Sequence, residues 1–152
     1  MKINKGQVKI TTKTKNWSFE FKRGKGHIFS YLVNRIRWHF YPRINYVSKF
    51  PDHIDIEISS ACNLKCPMCY TITDEFKKEV KIGLMDFELY KKLIDECAKY
   101  KPYSIRISFR GEAFLHPQIF DIIKYAKDSG IKEVSSLTHG GMLDDEKFRK
   151  LI

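Results

Sequence analysis

The sequence predicts an α/β fold built as a parallel (β/α) repeat, and three observations carry that expectation. Apolar and polar residues alternate in three short runs, over residues 54–60, 103–109 and 133–138. Between and after those runs, apolar residues recur at helical spacing. Helix-start and helix-stop residues stand at the boundaries. Strand and helix thus alternate three times, the order expected of parallel strands joined by crossover helices.

Taken in order, the chain begins with a segment of different character. Val8, Ile10 and Thr12 alternate with polar residues, as do Trp17, Phe19 and Phe21. With Lys13-Thr14-Lys15-Asn16 between them, these two runs predict a hairpin. Gly24-Lys25-Gly26 breaks the pattern. Phe29, Leu32, Val33, Ile36 and Phe40 then follow helical spacing until Pro42 stops the helix. The repeat proper starts after Pro51, with residues 54–60 as its first strand. Asp86 caps a helix that carries Phe87, Tyr90, Leu93, Ile94 and Cys97 on one face. Residues 103–109 form the second strand, Pro117 suits the first turn of the next helix, and Gly130 its C′ position. Residues 133–138 form the third strand. Asp144-Asp145-Glu146 opens a last helix with acids at its positive end.

Charge divides the chain near the same point. The 152 residues carry a net charge of +10, yet residues 1–50 hold 12 Lys and Arg against one acid, Glu20, a net of +11. Residues 51–152 hold 16 basic and 17 acidic residues, a net of −1. The expected organisation is a basic N-terminal extension over residues 1–50, hairpin plus amphipathic helix, followed by a domain over residues 51–152. The simplest role for the extension's helix is to pack its apolar stripe on that domain and leave its charges in water. A membrane-surface helix and a nucleic-acid arm are the sharper alternatives. A hydrophobic content of 43% and a charged content of 30% exclude a disordered tail. No apolar run approaches the roughly 20 residues that span a bilayer, and the first residues lack the apolar stretch of a secretory signal.

Three of the four cysteines, Cys62, Cys66 and Cys69, fall within eight residues, spaced C-x3-C-x2-C. So uneven a distribution is not a disulfide framework, and the expectation is metal binding in a reducing, cytoplasmic compartment. The three thiols follow the first strand, at the carboxyl end where α/β folds place their active sites. A structural zinc site takes four ligands, and the second pair is missing. Cys97 shares a helix face with Tyr90, Leu93 and Ile94, which makes it a core residue rather than a fourth ligand. His53 stands at a strand start and His116 beside Pro117. Three thiolates suit a 4Fe–4S cubane that keeps one iron open, whereas four-cysteine ligation serves clusters that only pass electrons.

Cys62-x3-Cys66-x2-Cys69 in the loop after the first strand of a β-α repeat resembles the radical S-adenosylmethionine (radical SAM) superfamily. A second element supports the resemblance. Arg110-Gly111-Glu112-Ala113-Phe114-Leu115-His116-Pro117, after the second strand, is similar to the Gly-Gly-Glu segment that holds the cofactor's methionine amino group in that family. A glutamate there can accept charge-assisted hydrogen bonds from an ammonium, and a glycine permits close backbone approach. Thr138-His139-Gly140, after the third strand, resembles a common Thr-Asn-Gly turn. The chain departs from the family at three positions: Arg110 replaces the first glycine, His139 replaces the asparagine, and Met68 stands where an aromatic residue is common. The Met68 backbone is still expected to face adenine, with the Tyr70 ring nearby.

The resemblance covers residues 52–152 and implies the first three β-α units of a partial TIM-type (β/α)6 barrel. It implies that Cys62, Cys66 and Cys69 hold three irons of a 4Fe–4S cluster, and that S-adenosylmethionine binds the fourth against Met68, Gly111 and Glu112. An electron from a flavodoxin- or ferredoxin-like donor would then cleave the cofactor to a 5′-deoxyadenosyl radical, which abstracts hydrogen from a substrate. Residues that select the substrate, and any auxiliary-cluster domain, are expected beyond Ile152, so the chain reads as a fragment that is inactive alone. Two other classes stay open. One is a non-radical iron–sulfur protein whose open iron acts as a Lewis acid. The other is a zinc- or iron–sulfur-binding module whose basic arm binds nucleic acid, with Trp17, Phe19 and Phe21 beside Lys22-Arg23 as its contact surface.

Overall fold

The computed structural model describes residues 13–151. The chain divides into two compact units between Val47 and Ser48.

In the first unit, α1 (Lys13–Arg23) and α2 (Ile28–Phe40) are followed by a 3-10 turn (Tyr41–Arg43) that contains Pro42. The helix expected to end at this proline forms as α2. The hairpin does not form as predicted. Its second run, Trp17, Phe19 and Phe21, lies within α1, and its first run, Val8, Ile10 and Thr12, lies outside the described residues. Three aromatic residues at period two are too short a run to separate strand from helix. Phe19 and Phe21 are exposed, so their alternation marks no buried sheet face. In α2 the buried residues are Tyr31 and Asn34, while Phe29, Leu32, Ile36 and Phe40 of the expected stripe are exposed. The buried Tyr31 ring packs on Gly24, where a Cβ would come within 3.2 Å of Tyr31 Cδ1.

In the second unit, β1 (His53–Asp55), β2 (Ser104–Arg106) and β3 (Glu133–Ser135) form one parallel sheet in that order. A short helix, α3 (Asp74–Glu79), follows the cysteine loop. The crossover from β1 to β2 contains α4 (Phe87–Tyr100), that from β2 to β3 contains α5 (Ile119–Asp128), and α6 (Asp145–Leu151) follows β3. This is the predicted parallel (β/α) repeat.

Register sorts the residues onto two faces. Ile54, Ile105 and Val134 pair across the sheet, and Ile56, Ile58 and Ile107 continue that apolar side into the core. Tyr90 and Ile94 of α4, with Ile119 and Ile122 of α5, cover it. The adjacent row is Asp55, Arg106 and Ser135, where Asp55 and Arg106 form an ion pair at 2.5 Å. One face is therefore apolar and sealed by helices, the other polar.

Local signals set the helix ends. Asp86 Oδ2 accepts the Leu89 N–H at 3.0 Å and caps α4, whose buried residues are Tyr90, Ile94 and Cys97. Leu93, expected on the same face, is 38% exposed, because the buried stripe runs through i, i+4 and i+7 only. The N-cap position of α5 is Gln118, so Pro117 precedes the helix rather than standing in its first turn, and the helix ends before Gly130 at φ +93°. The regular strands are three residues each, shorter than the alternating runs. Ile56 N–H and Ile107 N–H still bond across the sheet, to Arg106 O at 2.8 Å and Ser135 O at 2.9 Å, and farther along the backbone groups find other partners. Ser60 N–H donates to Gly83 O at 3.0 Å, and Leu137 N–H donates to Ser108 Oγ at 2.6 Å. Among the described residues, no helix is long and apolar enough to cross a membrane.

Candidate metal and cofactor site

The site lies past the carboxyl ends of the strands, where the ladder gives way to specific side chains. Past β1 the chain passes through Ser59, Ser60 and Ala61 directly into the cysteine loop. Gly111 packs edge-on against this exit: a Cβ on it would fall 2.4 Å from Ser59 O and 2.5 Å from Ala61 O. The glycine is thus required by the chain's own backbone, a reason the sequence did not show. The next residue completes the join, with Glu112 N–H donating to Ala61 O at 2.8 Å. The residue before Cys62 and the Gly-Glu segment are therefore bonded directly to each other.

The cysteine loop is open to solvent. Cys62 and Cys66 are exposed, Cys69 is half-buried, and Cys97 is buried in the core. Cys69 N–H donates to Cys66 O at 2.9 Å, which makes Cys66-Pro67-Met68-Cys69 a tight turn, and Leu64 N–H points at Cys62 Sγ at 3.5 Å. The Thr71 hydroxyl, 3.1 Å from Cys69 Sγ, and then the Thr71 backbone hold the Cys69 thiol below its usual range. Burial, with the nearby Glu96 charge, pushes the Cys97 thiol up instead. Among the described residues, no three His, Cys, Asp or Glu side chains are grouped to hold a single metal ion. An iron–sulfur cubane bonds each thiolate to a separate iron, so its ligands do not converge on one point. Three thiols on one accessible loop, one of them tuned toward thiolate, fit that donor requirement.

Glu112 is 2% exposed and fully engaged. Its Oε1 accepts from the Phe114 N–H at 3.0 Å and the Thr138 hydroxyl at 2.9 Å. Its Oε2 accepts from the His139 N–H at 3.1 Å, with His139 Nε2 at 3.3 Å. The Thr138-His139-Gly140 turn is thus tied to the Glu112 carboxylate, a link sequence reasoning missed although it had singled out both segments. Met68 is 86% exposed, and Tyr70 stacks edge-on against buried Phe76 with ring centroids 4.8 Å apart.

Arg110, the departure from glycine, is turned aside. Its backbone N–H and Nε each lie 3.0 Å from Glu57 Oε1, its Nη2 also bonds Glu57, and its guanidinium covers the Phe76 ring at 5.3 Å. Glu57 on the polar side of the first alternating run was the available signal for this pair. His116 and His53 are structural. His116 Nδ1 accepts the Gln118 N–H at 3.1 Å, so its Nε2–H donates to Met85 O at 2.8 Å. His53 lies at the far end of the sheet, between Ser104 Oγ at 2.7 Å and Asp55 at 3.1 Å.

The sequence profile of the radical SAM superfamily matches residues 56–152. The chain belongs to the radical SAM superfamily. Its family cofactors are a 4Fe–4S cluster and S-adenosylmethionine. The tungsten-containing aldehyde ferredoxin oxidoreductase cofactor-modifying protein of Pyrococcus furiosus is 31% identical over 100 residues, which is 65% of this chain and 27% of that protein. The AdoMet-dependent heme synthase of Methanosarcina barkeri is 33% identical over 102 residues, 66% of this chain and 28% of its own. The crystal structure of BtrN in complex with AdoMet and 2-DOIA superposes with a TM-score of 0.61 at 22% identity, over 69% of this chain and 42% of that one. That superposition shows the fold. The radical SAM chain described here therefore spans little more than a quarter of the length of these two curated relatives.

Proposed function

We propose that the protein is a radical SAM enzyme in which Cys62, Cys66 and Cys69 hold a 4Fe–4S cluster, and in which Gly111, Glu112 and the Met68 backbone receive S-adenosylmethionine. The observation that carries this reading is the Glu112 N–H to Ala61 O hydrogen bond at 2.8 Å, which joins the cluster loop to the cofactor segment. When bound there, the cluster and cofactor supply reductive cleavage of a sulfur–carbon bond and a 5′-deoxyadenosyl radical for hydrogen abstraction.

This chain's own residues hold and orient. The exposed loop presents Cys62 and Cys66 to irons without dismantling any core contact, and Thr71 favours the thiolate at Cys69. The Glu112 carboxylate fixes the turn after β3 and would be the acceptor for the cofactor's ammonium. The polar sheet face supplies the wall of a substrate chamber, and Arg106 and Asp55 on it are already mutually neutralised. A flavodoxin- or ferredoxin-like electron donor, a substrate outside this chain's contacts, and a cytoplasmic location belong to the same proposal.

The test is anaerobic reconstitution. Residues 1–152 should bind about four irons and four sulfides but release no 5′-deoxyadenosine from S-adenosylmethionine and dithionite, whereas a chain extended to the length of the curated relatives should release it. Replacing Cys62, Cys66 or Cys69 with Ala should each remove the chromophore, while Cys97→Ala should keep it. A cluster that survives any of the first three, or is lost in the fourth, overturns the ligand set.

A further inference from the structure

We propose that His139 is a positioning residue that couples the cysteine loop to Glu112 and thereby sets how the cofactor meets the cluster. The inference rests on the proposed function for its consequence, but its geometry stands apart. The Gly141 N–H donates to His139 Nδ1 at 3.0 Å, so Nδ1 carries no hydrogen and Nε2 carries it. Nε2 lies 2.8 Å from Asn63 Oδ1 and 3.3 Å from Glu112 Oε2. The Asn63 amide is oriented to match, because its Nδ2 faces Met142 Sδ at 3.7 Å and leaves Oδ1 for the imidazole. One N–H therefore stands between acceptors carried by the loops after β1 and β2, and it belongs to the turn after β3.

Each partner is placed where a displacement matters. Asn63 directly follows Cys62, so what anchors Asn63 anchors the first thiol of the loop. Glu112 is held a second time by the His139 backbone N–H at 3.1 Å, which keeps the ring and the carboxylate in fixed relation. The His139 side chain is 19% exposed, and the ring is clamped on both nitrogens. An asparagine at this position would carry its amide nitrogen only as far as Nδ1 and would leave Asn63 unbridged. A glutamine carries its amide nitrogen to the position of Nε2. That difference in reach separates a bridging role from mere occupancy of the turn.

The experiment compares His139→Asn, His139→Gln, Asn63→Ala and the double variant His139→Asn/Asn63→Ala in the reconstituted protein. Iron content should stay at about four per chain in all of them. The dissociation constant for S-adenosylmethionine, read from its effect on the electron paramagnetic resonance of the reduced cluster, should rise about tenfold in His139→Asn and Asn63→Ala. It should stay near the parent value in His139→Gln, and the double variant should be no weaker than either single one. In the cluster-free protein, amide exchange over residues 62–66 should accelerate in the same two single variants and not in His139→Gln. Additive losses, or a glutamine variant as weak as the asparagine one, would overturn the proposal. If the parent protein takes up no cluster or cofactor, the proposed function fails, while the cluster-free exchange comparison still decides whether His139 bridges the loops.

Discussion

The paired ladder of the three-stranded sheet and the loops past its carboxyl end are built on different principles. Along the ladder, His53, Ser104 and Glu133 pair in regular parallel register at the first rung, and the Asp55–Arg106 ion pair is a half-exposed addition at the last. At the carboxyl end the ladder stops, and named side chains take over its work: Gly111 against Ser59–Ala61, Ser108 accepting from Leu137, Glu112 accepting from Thr138 and His139. Backbone pairing accepts almost any residue that tolerates an extended conformation. Side-chain pairing demands a particular donor or acceptor at a particular distance. The comparison teaches that chemical specificity is concentrated past the carboxyl end of the strands, where α/β folds place their sites, while the ladder itself is sequence-tolerant.

The sharpest way to break the carboxyl end is Gly111→Ala. Its Cβ would meet two backbone oxygens, at 2.4 and 2.5 Å, which no side-chain rotation relieves. Chemical denaturation should show a loss of about 3 kcal/mol or more, or no folded protein at all. Glu112→Gln comes next. Its amide NH2 would turn toward buried N–H or O–H donors that now face the carboxylate, for a loss of about 1–3 kcal/mol in the cluster-free protein. The same variant should weaken S-adenosylmethionine binding in the reconstituted one. A variant of unchanged stability would mean that the carboxylate is not the organising group.

The ladder itself should respond far less. Asp55→Asn removes a pair whose side chains are 30% and 35% exposed, so after allowance for solvent screening the loss should be under about 1 kcal/mol. A loss as large as that of Glu112→Gln would erase the contrast between the ladder and the loops past it. The smallest expected effect is on α6. Asp144 Oδ1 accepts the Lys147 N–H at 2.8 Å, and this bond, followed by the Lys147 side chain, holds the carboxyl below its ordinary value of 3.8. A depressed folded value contributes stability above the unfolded value, lost as pH falls through the folded one. Amide exchange over Asp145–Leu151 should therefore accelerate only below about pH 4, and Asp144→Asn should flatten that dependence.

The legible features were those that neighbouring residues decide. Asp86 and Asp144 reach N–H groups three residues on, and the alternation around Ile54 and Ile105 marks a face because successive side chains on a strand point opposite ways. Cys62, Cys66 and Cys69 were legible for the same reason, since three thiols on one loop are a local fact. The failures were local ambiguities or distant pairings. Trp17, Phe19 and Phe21 suit either period over so short a run, and α1 is a helix.

By itself, then, the sequence determined the order of strands and helices, the cysteine loop at the end of the first strand, and the Gly-Glu segment at the end of the second. Only the tertiary structure decided what those segments bind within the chain. It placed Ala61 against Gly111 and Glu112, turned Arg110 onto Glu57, and set His139 between Asn63 and Glu112. The physical reason is that a buried carboxylate or a shared imidazole hydrogen takes whichever partner the packing of the strands brings within about 3 Å, and that choice is made by the sheet's register, not by neighbours in sequence.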